Sequence, residues 1–128
     1  MARSLGADFQ VITFIQTRDR PTAVAFYRDV LGLTFVIDDP FGSLFDQNGT
    51  GLGITQIEGF TPGPHPALGW QASDIHDSIR TLTSRGVTMK IYEGFGQDEV
   101  GIWHAPGGAA QIAWFEDPDG NLLSLTQV

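Results

Sequence analysis

Three histidines and no cysteine limit the chemistry open to this chain. Without thiols there is no disulfide, no thiol nucleophile and no thiolate metal site. His65 stands between Pro64 and Pro66, and His76 sits beside Asp77 in a helical pattern, so both read as exposed surface. His104 follows Trp103 in the segment Glu99–Ala105, which reads as an extra strand or a loop. An imidazole ordinarily titrates near neutrality. His104 is therefore the candidate catalytic acid–base group, with Asp98 and Glu99 as nearby carboxylates. Two other spellings look like known sites and fail on context. Gly49-x-Gly51-x-Gly53 has the glycines of a dinucleotide-binding loop, but a strand pattern follows where that loop needs a helix. Asp117-x-Asp119-Gly120-Asn121 looks like the start of a calcium loop. No acidic residue remains downstream to complete the coordination, so it reads as a turn.

The elements that would position such residues are written twice. Residues 48–57 (NGTGLGITQI) align with residues 119–128 (DGNLLSLTQV), with identities at Gly49/Gly120, Leu52/Leu123, Thr55/Thr126 and Gln56/Gln127. Each is a turn signal followed by an alternating run, which is a hairpin turn entering a strand. The stretch Asp19–Gly32 carries Ala23, Phe26, Tyr27, Val30 and Leu31 as an amphipathic helical stripe, with Asp19 as cap and Gly32 as stop. Ser73–Gly86 repeats that layout, with stripe Ile75, Ile79 and Leu82, cap Ser73 or Asp74, and stop Gly86. Short apolar runs ending in Gln16 and Gln71 precede the helices. Strand patterns at Thr34–Ile37 and Thr88–Tyr92, then Ser43–Phe45 and Gln111–Phe115, follow them. The order is strand, helix, three strands, twice. The segment Gly59–Pro66, with three prolines and two glycines, reads as the connector.

At 128 residues the two modules are expected to share one core. No apolar run is long enough to cross a bilayer, and the opening MARSLGADF has no signal-peptide stretch, so the expected location is cytoplasmic. The charge pattern says more than the net −8. All seven Lys and Arg lie at positions 3, 18–28 or 80–90, in the N-terminal arm, the helices or beside them. From Asp29 to Ile79 there are seven acids and no base, and from Ile91 onward six acids and no base. Nucleic acid is excluded as a partner because phosphate contacts need clustered Lys and Arg. Acidic loops keep a small protein soluble, and they also bias a pocket toward neutral or cationic ligands.

The segments AVAFYRDVLGL at 23–33 and WFEDPDGNLLSL at 114–125 resemble the two characteristic stretches of the vicinal oxygen chelate superfamily. That group contains glyoxalase I, extradiol dioxygenases, fosfomycin-modifying enzymes and bleomycin-resistance proteins. The resemblance runs from about Phe9 to Gln127. It implies an α+β fold of two paired βαβββ modules forming a cup-shaped mixed sheet with helices on the outer face. The expected single domain is 9–127, with module 1 at about 9–58, the connector at 59–66 and module 2 at about 67–127. Metal-dependent members place four His, Glu or Gln ligands on inner strands. By the motifs those positions fall on Ile12, Gly53, Ala67 and Ser124. Three of these have no side-chain donor, and a lone serine hydroxyl is a poor ligand. No metal and no cofactor are expected.

Strand alternation then gives the inner face. If Ile12 points into the cup, so do Phe14 and Gln16. By module symmetry Gly69 and Gln71 do the same, and Leu122, Ser124 and Thr126 on the last strand, while Gly51, Gly53 and Thr55 leave room. Trp70 alternates to the helix-facing core, and Trp103 joins the ligand-lining set beside His104. Apolar walls with small hydroxyl and amide groups are the composition of a binding pocket. Glutamines Gln16 and Gln71, at equivalent strand ends, are the best polar ligand contacts. The expectation is a homodimeric protein that binds a small neutral or cationic organic molecule without metal. A lyase, isomerase or dioxygenase-like enzyme is the alternative, and a regulatory module whose cup is filled by its own side chains is the third.

Overall fold

The ten-residue repeat folds as the last strand of two successive sheets. The computed structural model describes residues 4–128, so Arg3 of the charge pattern lies outside the described residues. The chain divides into two compact units, Met1–Phe60 and Thr61–Val128, and the division falls inside the proline-rich connector. A single helical turn, α1 (Leu5–Asp8), opens the first unit. β1 (Ile12–Thr17), α2 (Arg20–Ala25), β2 (Thr34–Asp39), β3 (Gly42–Gln47) and β4 (Thr50–Gln56) follow. The second unit holds β5 (Leu68–Gln71), α3 (Ile75–Ser84), β6 (Trp103–His104), β7 (Gln111–Glu116) and β8 (Leu122–Gln127). This is the expected α+β order of strand, helix and three strands, twice.

Each sheet has four strands and mixed direction, in the orders β1-β4-β3-β2 and β5-β8-β7-β6. The first strand of each unit runs parallel to the last, and the other pairs are antiparallel. A parallel neighbour requires a crossover, which α2 and α3 supply. Asp19 caps α2, accepting from the Thr22 N–H at 3.4 Å and the Thr22 hydroxyl at 2.9 Å. Of the two candidate caps for α3, Asp74 holds the position and accepts from the Asp77 N–H at 3.1 Å. Gly32 and Gly86 end the helices at φ of 76° and 93°, the left-handed conformation that favours glycine. The sequence pattern for one continuous α-helix to Leu31 is only partly realised, because α2 passes into a π-helical turn at Phe26–Val30. That turn brings Tyr27, fully buried, within 6.4 Å of the Phe45 ring centroid.

One face of each sheet carries the core. Ile15, Phe45, Leu52 and Ile54 are buried with Ala23 and Tyr27 of the helical segment in the first unit. Ala113, Phe115, Leu123 and Leu125 are buried with Ile75, Ile79 and Leu82 in the second. Trp70 lies on that side, half-buried and stacked on Phe115 at 6.4 Å, as its alternation implied. Each large side chain taken out of water stabilises the fold by roughly 1.5–3 kcal/mol.

The strand expected at Thr88–Tyr92 does not form. One backbone bond, from the Lys90 N–H to the Trp114 carbonyl at 2.7 Å, lays this segment beside β7. The Gln97 amide then takes two more of its polar groups. Its oxygen accepts from the Tyr92 N–H at 2.6 Å, and its nitrogen donates to the Lys90 and Gly101 carbonyls at 3.0 and 2.7 Å. A side chain that satisfies those groups removes the need for a strand partner. The edge strand comes instead from Trp103–His104, which pairs with Ile112 and Gln111. Among the described residues, no helix is long and apolar enough to cross a membrane.

Candidate binding faces

The sheet face opposite each helix is open, and register decides what stands on it. In the first unit Ile12 pairs with Gly51, Phe14 with Gly53, and Gln16 with Thr55. Directly paired residues share a face, so the predicted residues Ile12, Phe14, Gln16, Gly53 and Thr55 stand together. The Phe14–Gly53 row continues to Leu44 and Ile37 on β3 and β2. Phe14 is 71% exposed, and Ile12 and Ile37 are also exposed. The room expected above the glycines is taken by these neighbours. A Cβ on Gly53 would come within 2.9 Å of Cδ1 and 3.1 Å of Cε1 of Phe14, so one edge of the ring lies over the glycine. A Cβ on Gly51 would meet Cγ1 of Ile12 at 3.2 Å. The result is an apolar terrace one ring thick, with an amide and a hydroxyl at one end.

In the second unit Gly69 pairs with Ser124, and Gln71 with Thr126. These rows continue to Trp114, and to Ile112 and then Trp103. Ser124, Thr126, Gln71 and Trp103 are therefore brought together on one face as well. Gly69 and Ser124 are fitted to each other, since a Cβ at Gly69 would stand 2.5 Å from the Ser124 hydroxyl and force it to another rotamer. Gly69, Trp70, Gln71, Thr126 and Val128 line a small cavity of about 260 Å³. Beyond Ser124 the face ends in an aromatic wall. Tyr92 and Phe95 stack at 5.1 Å, and both meet the Trp114 ring edge-to-face, at 5.5 and 6.1 Å.

The four register positions that would carry metal ligands in a metal-dependent relative do not fit a metal. Ile12 and Phe14 cover the first-unit positions with hydrocarbon. Ala67 donates its N–H to the Leu122 carbonyl at 2.8 Å and has no side-chain donor. Ser124 offers one neutral oxygen, against the three or four N, O or S ligands that such a centre needs. Among the described residues, no group of three or more His, Asp or Glu converges elsewhere.

His104 is not brought to these faces. It pairs with Gln111, which pairs with Gln127, and these stand on the opposite side from Trp103, Ile112 and Thr126. Its Nε2 lies 2.9 Å from Asp98 Oδ2. The other oxygen of Asp98 accepts from the Val100 and Ile102 N–H groups at 3.1 and 2.9 Å. Burial pushes the Asp98 carboxyl up, but the His104 contact and the Ile102 and Val100 N–H groups outweigh it and hold it below the usual carboxylate range. The arrangement fixes the loop that leads into β6. His65 and His76 are exposed, as their context implied. The Asp117–Asn121 stretch is a turn, with Asp117 Oδ1 accepting from the Asp119 and Asn121 N–H groups, both at 2.9 Å.

Three features escaped the sequence reading. The repeated glutamines Gln56 and Gln127 bind helix N-termini: their side-chain oxygens accept from the Arg20 and Ile75 N–H groups at 2.8 and 2.7 Å. Their identity in the repeat was the available signal. Asp46 and Glu116 sit on the open faces, paired with Gly51 and Leu122 respectively. Alternation from Gly53 and Ser124 across the hairpins would have found them. Tyr92 and Phe95 join the second face only through the loop held by Gln97, which no local pattern encodes.

The sequence matches the Glyoxalase/Bleomycin resistance protein/Dioxygenase superfamily over residues 10–125. Solved structures agree. A lactoylglutathione lyase from Agrobacterium tumefaciens superposes with a TM-score of 0.72 at 17% identity, covering 94% of this chain and 93% of that one. A superfamily member from Sphaerobacter thermophilus DSM 20745 gives 0.74 at 27% identity, over 97% and 100% of the two chains. A glyoxalase/bleomycin resistance protein/dioxygenase from Alicyclobacillus acidocaldarius gives 0.71 at 18%, over 94% and 91%. No curated protein matches the sequence. With the family match covering nearly the whole chain and the paired βαβββ units in place, this chain belongs to the glyoxalase/bleomycin resistance/dioxygenase superfamily, the vicinal oxygen chelate group.

Proposed function

We propose that this protein binds a small, planar, neutral or cationic organic molecule on its open sheet faces, without a metal, and works in the cytoplasm as a homodimer. The observation that carries this reading is Phe14, whose ring packs one edge over Gly53 and yet remains 71% exposed. A large apolar ring held against a sheet and left open to solvent is a stacking surface. Apolar contact supplies affinity at roughly 25 cal/mol per Å² of apolar area removed from water, before the costs of association. Gln16, Thr55, Gln71, Ser124 and Thr126 supply directional hydrogen bonds. Asp46 adds negative charge to the first face, and Glu116 stands at the equivalent place on the second. The cation nearest the second face, Lys90, is held by Glu116 at 3.2 Å and lies 5.5 Å over the Tyr92 ring. A homodimer accords with other exposed apolar side chains of the first unit, Val36 and Phe41.

The test is a thermal-shift screen of matched cationic and anionic aromatic compounds at low and high salt. Cationic and neutral compounds are expected to stabilise the fold more than anionic ones, with salt narrowing the gap. Stronger stabilisation by the anions would overturn the charge argument. Hits that are indifferent to Phe14→Ala and to Gln16→Ala with Gln71→Ala would overturn the site. The second reading is a metal-independent lyase or isomerase using His104 as its acid–base group. The 2.9 Å contact with Asp98 favours it, since a carboxylate orients an imidazole. Such a reaction would take place on the helix-bearing side of the second sheet, away from the faces just described.

A further inference from the structure

We infer that a groove beside α3 receives the N-terminal arm of a second copy of this chain, with Leu5 and Phe9 as its anchors. The groove has a volume of about 450 Å³, within the range of sites that take drug-sized groups. It includes none of the open-face residues. Its floor is apolar, with Ile79 and Met89 buried and Val87, Ile91 and Val100 along its length. Ile91 and Val100 are exposed there with nothing over them in their own unit. Its rim is polar, with His76 and Arg80 from α3 and Glu99 from the loop. Arg80 makes a single long contact to Asp77, 3.5 Å between two strongly exposed groups, which leaves its guanidinium open to a further partner.

The arm has the complementary features. α1 is one turn long, closed by the Asp8 N–H to the Ser4 carbonyl and by the Ser4 N–H to the Asp8 carboxylate, each 3.1 Å. A single turn is not stable by itself in water. It exposes Leu5, at 76%, together with Phe9 and Val11, so its apolar side chains are unpaid for until a surface covers them. Leu5 opens the turn and Phe9 follows it in extended backbone, so the arm offers one apolar side chain from the turn and one from the strand-like segment after it. The described part of the arm carries one acid, Asp8, to meet Arg80. An apolar segment with one carboxylate matches the apolar floor and the Arg80 side of the rim, whereas a simple cation would meet Arg80 and a simple anion would leave the floor uncovered.

The absence of native cysteine makes a clean test available. Leu5→Cys and Val100→Cys are prepared as separate proteins, mixed under oxidising conditions and run on a non-reducing gel. The expected result is a disulfide-linked dimer in the mixture, well above that of either variant alone. A mixture no different from the single variants overturns the inference. So does a Leu5→Cys/Val100→Cys double variant that closes within one chain regardless of dilution. As a second measurement, Phe9→Asp should weaken self-association on the order of tenfold in sedimentation, with the far-ultraviolet spectrum unchanged. Unchanged association would also overturn it. Failure of both with a persisting dimer would leave the homodimer and ligand readings untouched, because the dimer would then use another surface.

Discussion

At the same register the two units place bulk on different strands. In the first, the row runs Phe14, Gly53, Leu44; in the second it runs Gly69, Ser124, Trp114. The large ring stands on the first strand in one unit and on the third strand in the other, with a glycine beside the crowded position each time. The core face shows no such exchange: Phe45 and Phe115, and Leu52 and Leu123, are all fully or almost fully buried. One face of the repeat is therefore held constant for folding, while the other has diverged into a hydrocarbon terrace in one unit and a hydroxyl-and-amide surface with an aromatic wall in the other.

If that division is right, the largest effects should come from the face the units share. Phe45→Ala and Phe115→Ala should each cost about 3–5 kcal/mol in chemical denaturation, with the two losses similar. A large inequality would break the equivalence of the cores. Next come the glycines. Gly42 occupies the place of Ile112, since both stand two residues before Leu44 and Trp114 in the matching strands. A Cβ at Gly42 would strike the Ile54 carbonyl oxygen at 2.8 Å, which is backbone and does not yield. Gly42→Ala should cost about 1–3 kcal/mol, although the second unit carries isoleucine there. Gly53→Ala meets only the exposed Phe14 ring, which can swing aside, so stability should fall by less than about 1 kcal/mol. Its effect should appear instead as lost ligand stabilisation in the thermal-shift assay.

Gln56→Ala and Gln127→Ala should each cost about 1 kcal/mol, the scale of a helix-cap hydrogen bond, read from urea midpoints. Equal losses would confirm that the repeat preserves the strand-to-helix tie. The smallest effect is confined to one unit. The Asp98 carboxyl is held below its ordinary value near 3.8. A depressed folded-state value adds stability above the ordinary range, and this is lost as pH falls through the folded value. The stability difference between the wild type and Asp98→Asn should therefore be constant near neutrality and shrink below about pH 4. A difference that grew in acid would contradict the assignment.

Most of the fold was legible because its signals are local. Asp19 and Asp74 as caps, Gly32 and Gly86 as stops, and the alternation around Gly53 and Ser124 are all written within a turn or a strand. The edge of the second sheet was not. Thr88–Tyr92 has the alternation of a strand, but the Gln97 amide, five or more residues downstream, takes the Tyr92 N–H and the Lys90 carbonyl that a strand would have offered a neighbour. The lining of the faces was legible by period two, including Gln16, Gln71, Thr55 and Thr126. The side of the sheet on which His104 stands was not, because it depends on β6 pairing through Gln111 to Gln127. Nor was the filling of the space above Gly51 and Gly53, where glycine reads as room and the neighbouring strand supplies the side chain.

The central claim is that the open faces bind without a metal and that Phe14 is the stacking surface. Titration calorimetry of a planar aromatic cation, identified in the screen, tests it most directly when run on the wild type before and after chelator treatment and on Phe14→Ala. The account predicts an affinity unchanged by chelator and about tenfold weaker in Phe14→Ala. An affinity abolished by chelator and restored by nickel or zinc, with Phe14→Ala indistinguishable from wild type, would contradict it.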